Sequence, residues 1–227
     1  MVKVKICGIT NWADAKKSVE EGADFLGFNF YRKSPRYVAP AAARKIIARL
    51  PKGVTAVGVF VNEPEDNLLA AAREAGLHQL QLHGDESPKI VARLQREFPV
   101  VKALRVKGRS VGLQAKRFAN ADALLLDAFD AEQFGGTGRT FDWNLVRNGA
   151  RKRKLFLAGG LTPENIRDAM RIAKPYAVDV CSGVESRPGK KDSRKIEALM
   201  RAVRRKPAAA KRQTAKRKVR AAMGKKA

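Results

Sequence analysis

The chain has 227 residues, a formal charge of +25 and two cysteines, Cys7 and Cys181. That length suits one sizeable core, and two cysteines with no C-x-x-C spacing exclude a disulfide framework and point to a reducing cytoplasm. No long apolar run occurs, so neither a membrane span nor an apolar leader segment is expected.

The charge is uneven. From Arg201 onward there are 12 Lys or Arg and no acid, so of 47 basic and 22 acidic residues the first 200 positions hold 35 and 22, a balance of +13. The body is moderately basic and the tail strongly so.

Residues 2–6 alternate apolar and basic side chains, the period of a strand. Val2, Val4 and Ile6 share one face; Lys3, Lys5 and Cys7 share the other. Gly8 ends the strand, and Thr10 or Asn11 can cap a helix over 12–21, with Ala15 and Val19 turned inward. Strands are then expected at 25–30, 56–61, 79–83, 100–106, 123–126, 154–158 and 177–181. Helices are expected from Pro40, from Pro64 to Gly76, from Pro88, over 111–118, from Trp143, from Thr162-Pro163-Glu164 and from near Asp192. About eight βα units of roughly 25 residues are the pattern of a single (β/α)₈ TIM barrel. An open doubly wound sheet is the alternative.

In such a barrel the chemistry sits on loops after the strands. The first strand ends at Cys7, and the second leads to Arg36. The fourth ends at His83 and the sixth at Asp127. The seventh leads to Gly159 and Gly160, and the eighth to Ser182 and Gly183. Most free cysteines are small buried hydrophobes, but a thiol beside ammonium groups can act as a thiolate. If Cys7 points into the mouth, Lys5 points into the barrel below it, where a buried ammonium needs a partner. Asp179, two residues before Cys181, or Asp127 would supply it.

Gly159-Gly160-Leu161-Thr162 and Cys181-Ser182-Gly183-Val184 both offer backbone N–H groups without obstructing side chains, a setting for phosphate. Gly135-Gly136-Thr137-Gly138-Arg139-Thr140 lacks the spacing of a nucleotide-binding loop. It reads as a loop closing over the site after the sixth strand. His78 and His83 are the only histidines and lie on one short segment, so no metal site is expected.

Seven motifs in order carry a family resemblance: KVKICGIT at 3–10, SPRYV at 34–38, QLHGDE at 81–86, LD at 126–127, GGTGRTFDW at 135–143, AGGL at 158–161 and DVCSGVE at 179–185. The chain resembles the phosphoribosylanthranilate isomerases of tryptophan biosynthesis over about residues 1–200. The resemblance implies an intramolecular aldose–ketose isomerase working by an Amadori rearrangement. Cys7 would be the general base and Asp127 the general acid. Arg36 would hold the anthranilate carboxylate, and Gly159, Gly160, Ser182 and Gly183 the phosphate. His83 and Asp179 would also contact the substrate, a phosphorylated aminosugar. No cofactor is implied. Cys181 reads as a packing residue.

Other phosphate-binding barrels fit less well. A metal-dependent sugar-phosphate epimerase would want histidines from several strands, and an aspartate-pair isomerase of ribose-linked imidazoles would want a carboxylate at position 7. A nucleic-acid-binding protein is the reading from another class. Only the tail supports it, and the tail lacks aromatics that stack on bases. The expected organisation is a monomeric, cytoplasmic barrel over 1–205 and a disordered Lys/Arg/Ala-rich tail over 206–227. Such a tail could give weak, non-specific attraction to nucleic acid.

Overall fold

In the computed structural model, which describes residues 1–106, 111–128, 140, 142–147 and 153–204, alternating strands and helices close on themselves. The strands are β1 (Lys3–Cys7), β2 (Phe25–Asn29), β3 (Thr55–Phe60), β4 (Gln79–Leu82), β5 (Val100–Val106), β6 (Ala123–Ala128), β7 (Leu155–Leu157) and β8 (Ala177–Val180). They pair in chain order, all parallel, and β1 closes against β8 with Lys5 beside Asp179 and Ile6 beside Val180. A closed barrel removes both sheet edges and excludes the open doubly wound alternative. The helices are α1 (Trp12–Glu20), α2 (Pro40–Ile47), α3 (Glu65–Ala75), α4 (Pro88–Leu94), α5 (Val111–Arg117), α6 (Asn144–Arg147), α7 (Ile166–Ala173) and α8 (Ser193–Arg204).

Strand periodicity sorts the core into two layers. Outward residues such as Val4, Ile6, Leu26, Leu80, Leu124 and Val178 pack with helix residues such as Ala15, Leu68, Val91, Ile166 and Leu199. Inward residues Phe25, Val57, Val101, Ala103, Leu125 and Phe156 fill the barrel itself, with Phe25 and Phe156 edge to face at 5.2 Å. Each such buried large side chain contributes roughly 1.5–3 kcal/mol. One unpaired buried charge would cancel several of them. The interior nonetheless holds Lys5, Gln81, His83, Asp127 and Asp179, all buried. The inward face carries Lys3 and Gln79 at the N-terminal ends of β1 and β4, an apolar layer around Phe25 and Phe156, and then polar groups toward the C-terminal ends of the strands, where the site lies.

Local chemistry sets the element ends. The Asn11 side chain accepts the Asp14 N–H at 3.0 Å and starts α1. Gly76, at φ +73°, ends α3 in a left-handed cap. Two ends differ from the sequence expectation. Helix α7 begins at Ile166 rather than at Thr162. The Asn165 side chain accepts the Thr162 N–H at 2.9 Å and donates to the Gly160 carbonyl at 2.8 Å, holding 160–165 as a loop. After β8 a 3₁₀ turn (Ser182–Val184) leads into a small antiparallel hairpin, β9 (Glu185–Arg187) and β10 (Lys190–Lys191). The glycine-rich loop at 135–139 and the tail at 206–227 lie outside the described residues. Among the described residues no helix is long and apolar enough to cross a membrane.

Candidate active site

Strand β1 places Cys7 half-buried at the C-terminal end of the barrel, two residues beyond the fully buried Lys5. The Lys5 ammonium donates to Asp179 Oδ2 at 2.8 Å. Gly27 on the neighbouring strand makes room for both groups. A methyl group there would come within 2.6 Å of Cys7 Sγ and 3.1 Å of Lys5 Nζ.

The charges form one system. The Cys181 thiol beside Cys7 pulls the Cys7 pKa well below the thiol range; burial opposes this, and the Lys5 and Lys191 ammonium groups add to it. Burial works against the Lys5 charge, yet Asp179 and Cys7 hold its pKa above the ordinary lysine range. Asp179 is pushed up to about 7, first by burial and further by its acidic neighbours Cys7 and Asp127, with Lys5 acting the other way. Lys5 therefore keeps its proton, and Asp179 and Cys7 compete for its positive charge. Cys181 holds its own proton, raised by Cys7 and by burial.

A second charged cluster flanks Cys7 on the β8 side. Arg36 Nε and Nη2 donate to Glu185 at 3.0 and 2.7 Å in a side-on fork. Lys191, its side chain 1% exposed, donates to Glu185 Oε1 at 3.0 Å and to the Cys181 carbonyl at 3.3 Å. Burial opposes the Glu185 charge, yet Arg36 and Lys191 hold its carboxyl below the usual range. Asp14 in the first turn of α1 accepts the Lys191 N–H at 2.8 Å and the Lys190 ammonium at 2.9 Å. That ties the hairpin down over β1. Arg36 Cδ lies 2.8 Å from where a methyl group on Gly8 would sit, so its stem crosses the residue next to Cys7.

Asp127 on β6 is buried, with His83 Nε2 at 3.3 Å from Oδ2. The Gln81 amide nitrogen lies 2.9 Å from His83 Nδ1. An amide N–H donating there makes Nδ1 the acceptor and puts the imidazole proton on Nε2, facing Asp127. The loop carrying His83 is anchored by Lys102, which donates to the carbonyls of Leu82 and Gly84 at 3.1 and 2.7 Å and to Glu86 at 2.8 Å.

The glycine loops converge on the same end. Gly159 and Gly160 have φ of +86° and +58°, the left-handed region that side chains resist. A methyl group on Gly183 would come 1.9 Å from the Leu161 carbonyl oxygen, so the loop after β8 lies directly against the loop after β7.

All nine residues singled out in the sequence thus stand at the C-terminal end of the barrel, with two differences in setting. Arg36 already pairs with Glu185 through two of its nitrogens. Asp179 lies beneath Cys7 with one oxygen on Lys5 and the other buried, so it sits under the mouth rather than on its wall. Sequence reasoning missed Glu185 and Lys191 as a charged pair, and Asn165 and Gln81 as props. The inward alternation of β4, Gln79-Gln81-His83, was the one available signal, for Gln81. Among the described residues no cluster of His, Cys, Asp and Glu is arranged to hold a metal ion.

Comparison with known proteins identifies the family. The family described as N-(5'phosphoribosyl)anthranilate (PRA) isomerase matches residues 4–202. The N-(5'-phosphoribosyl)anthranilate isomerase of Pelobacter propionicus is 48% identical over 201 residues, 88% of this chain and 95% of that protein. The crystal structure of phosphoribosyl anthranilate isomerase from Thermotoga maritima superposes with a TM-score of 0.84 at 44% identity, covering 89% of this chain and 98% of that one. A phosphoribosyl anthranilate isomerase in complex with reduced 1-(o-carboxyphenylamino)-1-deoxyribulose 5-phosphate superposes at 0.81 and 42% identity, with the same coverage. From its fold, its motifs and these matches, the chain belongs to the N-(5'-phosphoribosyl)anthranilate isomerase family.

Proposed function

We propose that this chain catalyses the Amadori rearrangement of N-(5-phospho-β-D-ribosyl)anthranilate to 1-(2-carboxyphenylamino)-1-deoxy-D-ribulose 5-phosphate in L-tryptophan biosynthesis. The observation that carries the reading is the Cys7 thiol. It is held toward its thiolate form by Cys181, Lys5 and Lys191 at the end of a barrel that also presents Asp127.

The chemistry follows from those two groups. Asp127 donates a proton to the furanose ring oxygen, the C1–O bond breaks, and the anthranilate nitrogen supplies the electrons for a Schiff base. Cys7, as thiolate, removes the C2 proton, and the electrons of that bond neutralise the iminium to give an enolamine. Protonation at C1 and loss of the C2 hydroxyl proton give the ketone. Carbon 1 is reduced as carbon 2 is oxidised, so no external redox partner is required. Acid and base on separate strands, β6 and β1, suit a sugar lying across the mouth.

The other residues take binding and supporting roles. Arg36, oriented by Glu185, keeps Nη1 for the anthranilate carboxylate. Backbone N–H groups around Gly159, Gly160, Ser182 and Gly183 receive the phosphate. His83 acts through Asp127, and Asp179 acts through Lys5 on the charge of Cys7. All these groups come from one chain, so a monomer suffices, and the two free cysteines fit a reducing cytoplasm. The Lys/Arg-rich residues 206–227 lie beyond the family's match, which ends at residue 202. They supply no group to the reaction and at most a salt-dependent attraction to nucleic acid.

The test is the loss of fluorescence of the anthranilate adduct on mixing with purified protein. Enzyme-dependent loss with formation of the ketose phosphate is expected. A folded protein that leaves the adduct unchanged would overturn the reading.

A further inference from the structure

The second thiol at the barrel mouth, Cys181, neither gives nor takes a proton in the chemistry above; its part there is to favour the Cys7 thiolate. Cys7 ends β1 and Cys181 directly follows β8. These strands run parallel with Lys5 beside Asp179 and Ile6 beside Val180, so one further step sets Cys7 beside Cys181. Residues two apart on a strand share a face. Cys181 lies just past the end of β8, and its thiol meets that of Cys7 in a side-chain hydrogen bond, above the level at which Lys5 and Asp179 pair at 2.8 Å. Neighbouring strands lie about 4.8 Å apart, inside the Cα window of about 4.4–6.8 Å that a disulfide can bridge. The Cys181 sulfur reaches across to β1: a methyl group on Gly8, the residue after Cys7, would stand 3.1 Å from it. Both cysteines are free and partly exposed, so a small oxidant can reach them.

We propose that Cys7 and Cys181 form a reversible disulfide when the protein meets a hydroperoxide, an oxidative modification that removes the thiol of Cys7 from the reaction. The consequence for activity rests on the role of Cys7 proposed above; the bond itself does not. The Cys7 thiolate attacks the peroxide, the O–O bond breaks, an S–O bond forms, and hydroxide leaves, taking up as water the proton that Cys7 released on ionising. The Cys181 sulfur then attacks the Cys7 sulfenic acid and loses its proton. An S–S bond replaces the S–O bond, and the departing hydroxide takes up that proton as water. Two thiols lose two electrons in total, and one hydrogen peroxide is reduced to two waters. The Lys5 and Lys191 ammonium groups that favour the thiolate favour the first step. A resolving thiol next to the sulfenic acid intercepts it before irreversible over-oxidation. Cellular thiol reductants would reopen the bond.

The experiment exposes purified full-length protein to hydrogen peroxide, quenches it with catalase, and records intact mass, linked peptides and activity before and after dithiothreitol. Wild-type protein is expected to lose two hydrogens in mass, to yield one peptide pair joined through Cys7 and Cys181, and to regain its activity with dithiothreitol. Cys181→Ser, normalised to its own untreated rate, is expected to gain oxygen atoms at Cys7 and not to recover. Wild-type protein that gains oxygen at Cys7 without the linked peptide would overturn the proposal, whatever the variant does. So would a disulfide found only between two chains. A linked peptide with full retention of activity would leave the disulfide standing and count instead against Cys7 as the base.

Discussion

Lys5 and Asp179 meet at 2.8 Å inside the barrel, one same-face step below Cys7. Both are buried, so the pair is a support for the thiol above it rather than a surface ion pair. One ammonium serves two acids there, and this explains why burial and the acidic neighbours push Asp179 upward while Lys5 stays charged.

Lys5→Met should therefore act in two ways. It leaves Asp179 buried without a counter-charge, a loss of about 3–5 kcal/mol of stability if the carboxylate stays ionised and less if it takes a proton. It also removes a positive charge beside Cys7, so the pH at which Cys7 becomes alkylated by iodoacetamide should rise. Urea unfolding and the pH dependence of alkylation measure the two effects. An unchanged alkylation profile would separate Lys5 from the thiol.

That pair was readable from the sequence because strand alternation put Lys5 and Cys7 on one face and barrel closure brought Asp179 beside them. Strand β5 also falls on the expected residues, Val100–Val106, where a largely apolar stretch, interrupted by Lys102 and Arg105, follows Pro99. The hairpin at β9 and β10 was not readable. Its strands have three and two residues, too short for any periodicity, and its sequence runs Arg-Pro-Gly-Lys-Lys. The partner of Arg36 lies 149 residues away on that hairpin, and only tertiary folding brings it close. The start of α7 was misplaced because Pro163 and Glu164 look like a first turn. The Asn165 side chain bonds to the loop instead.

The raised pKa of Asp179 makes a second prediction. With a folded-state value of about 7 against an ordinary aspartate value in the unfolded chain, the folded state binds more protons between those limits. Its contribution to stability is full below the unfolded pKa and is lost as pH rises through about 7. Relative to Asp179→Asn, the wild type should lose stability across that window, by at most roughly 4 kcal/mol. Urea unfolding of both proteins at several pH values measures it. A wild type that gains stability relative to Asp179→Asn as pH rises through this window would contradict the assignment.

Arg36→Lys should keep the charge but lose the planar fork on Glu185. A charge-assisted hydrogen bond to the substrate carboxylate is worth about 1.5–3 kcal/mol, so kcat/KM should fall roughly 10- to 100-fold, mainly through KM. Steady-state kinetics over a range of substrate concentration separates the two. A fall confined to kcat would argue against carboxylate binding.

Gly183→Ala places a methyl group 1.9 Å from the Leu161 carbonyl oxygen, a backbone atom that cannot swing aside. The two loops must separate, and the phosphate site opens with them. KM should rise, and inorganic phosphate should inhibit more weakly than it inhibits the wild type. Unaltered phosphate inhibition would move the phosphate site elsewhere.

The central claim is that Cys7 takes the C2 proton while Asp127 supplies one to the ring oxygen. The most direct measurement is the turnover of purified Cys7→Ser and Asp127→Asn, followed by loss of adduct fluorescence beside the wild type. A serine hydroxyl is a far poorer base than a thiolate, and an amide donates no proton of comparable acidity, so each variant should lose about 10²–10⁴-fold in kcat while remaining folded. Near wild-type turnover by either variant would contradict the role assigned to that residue.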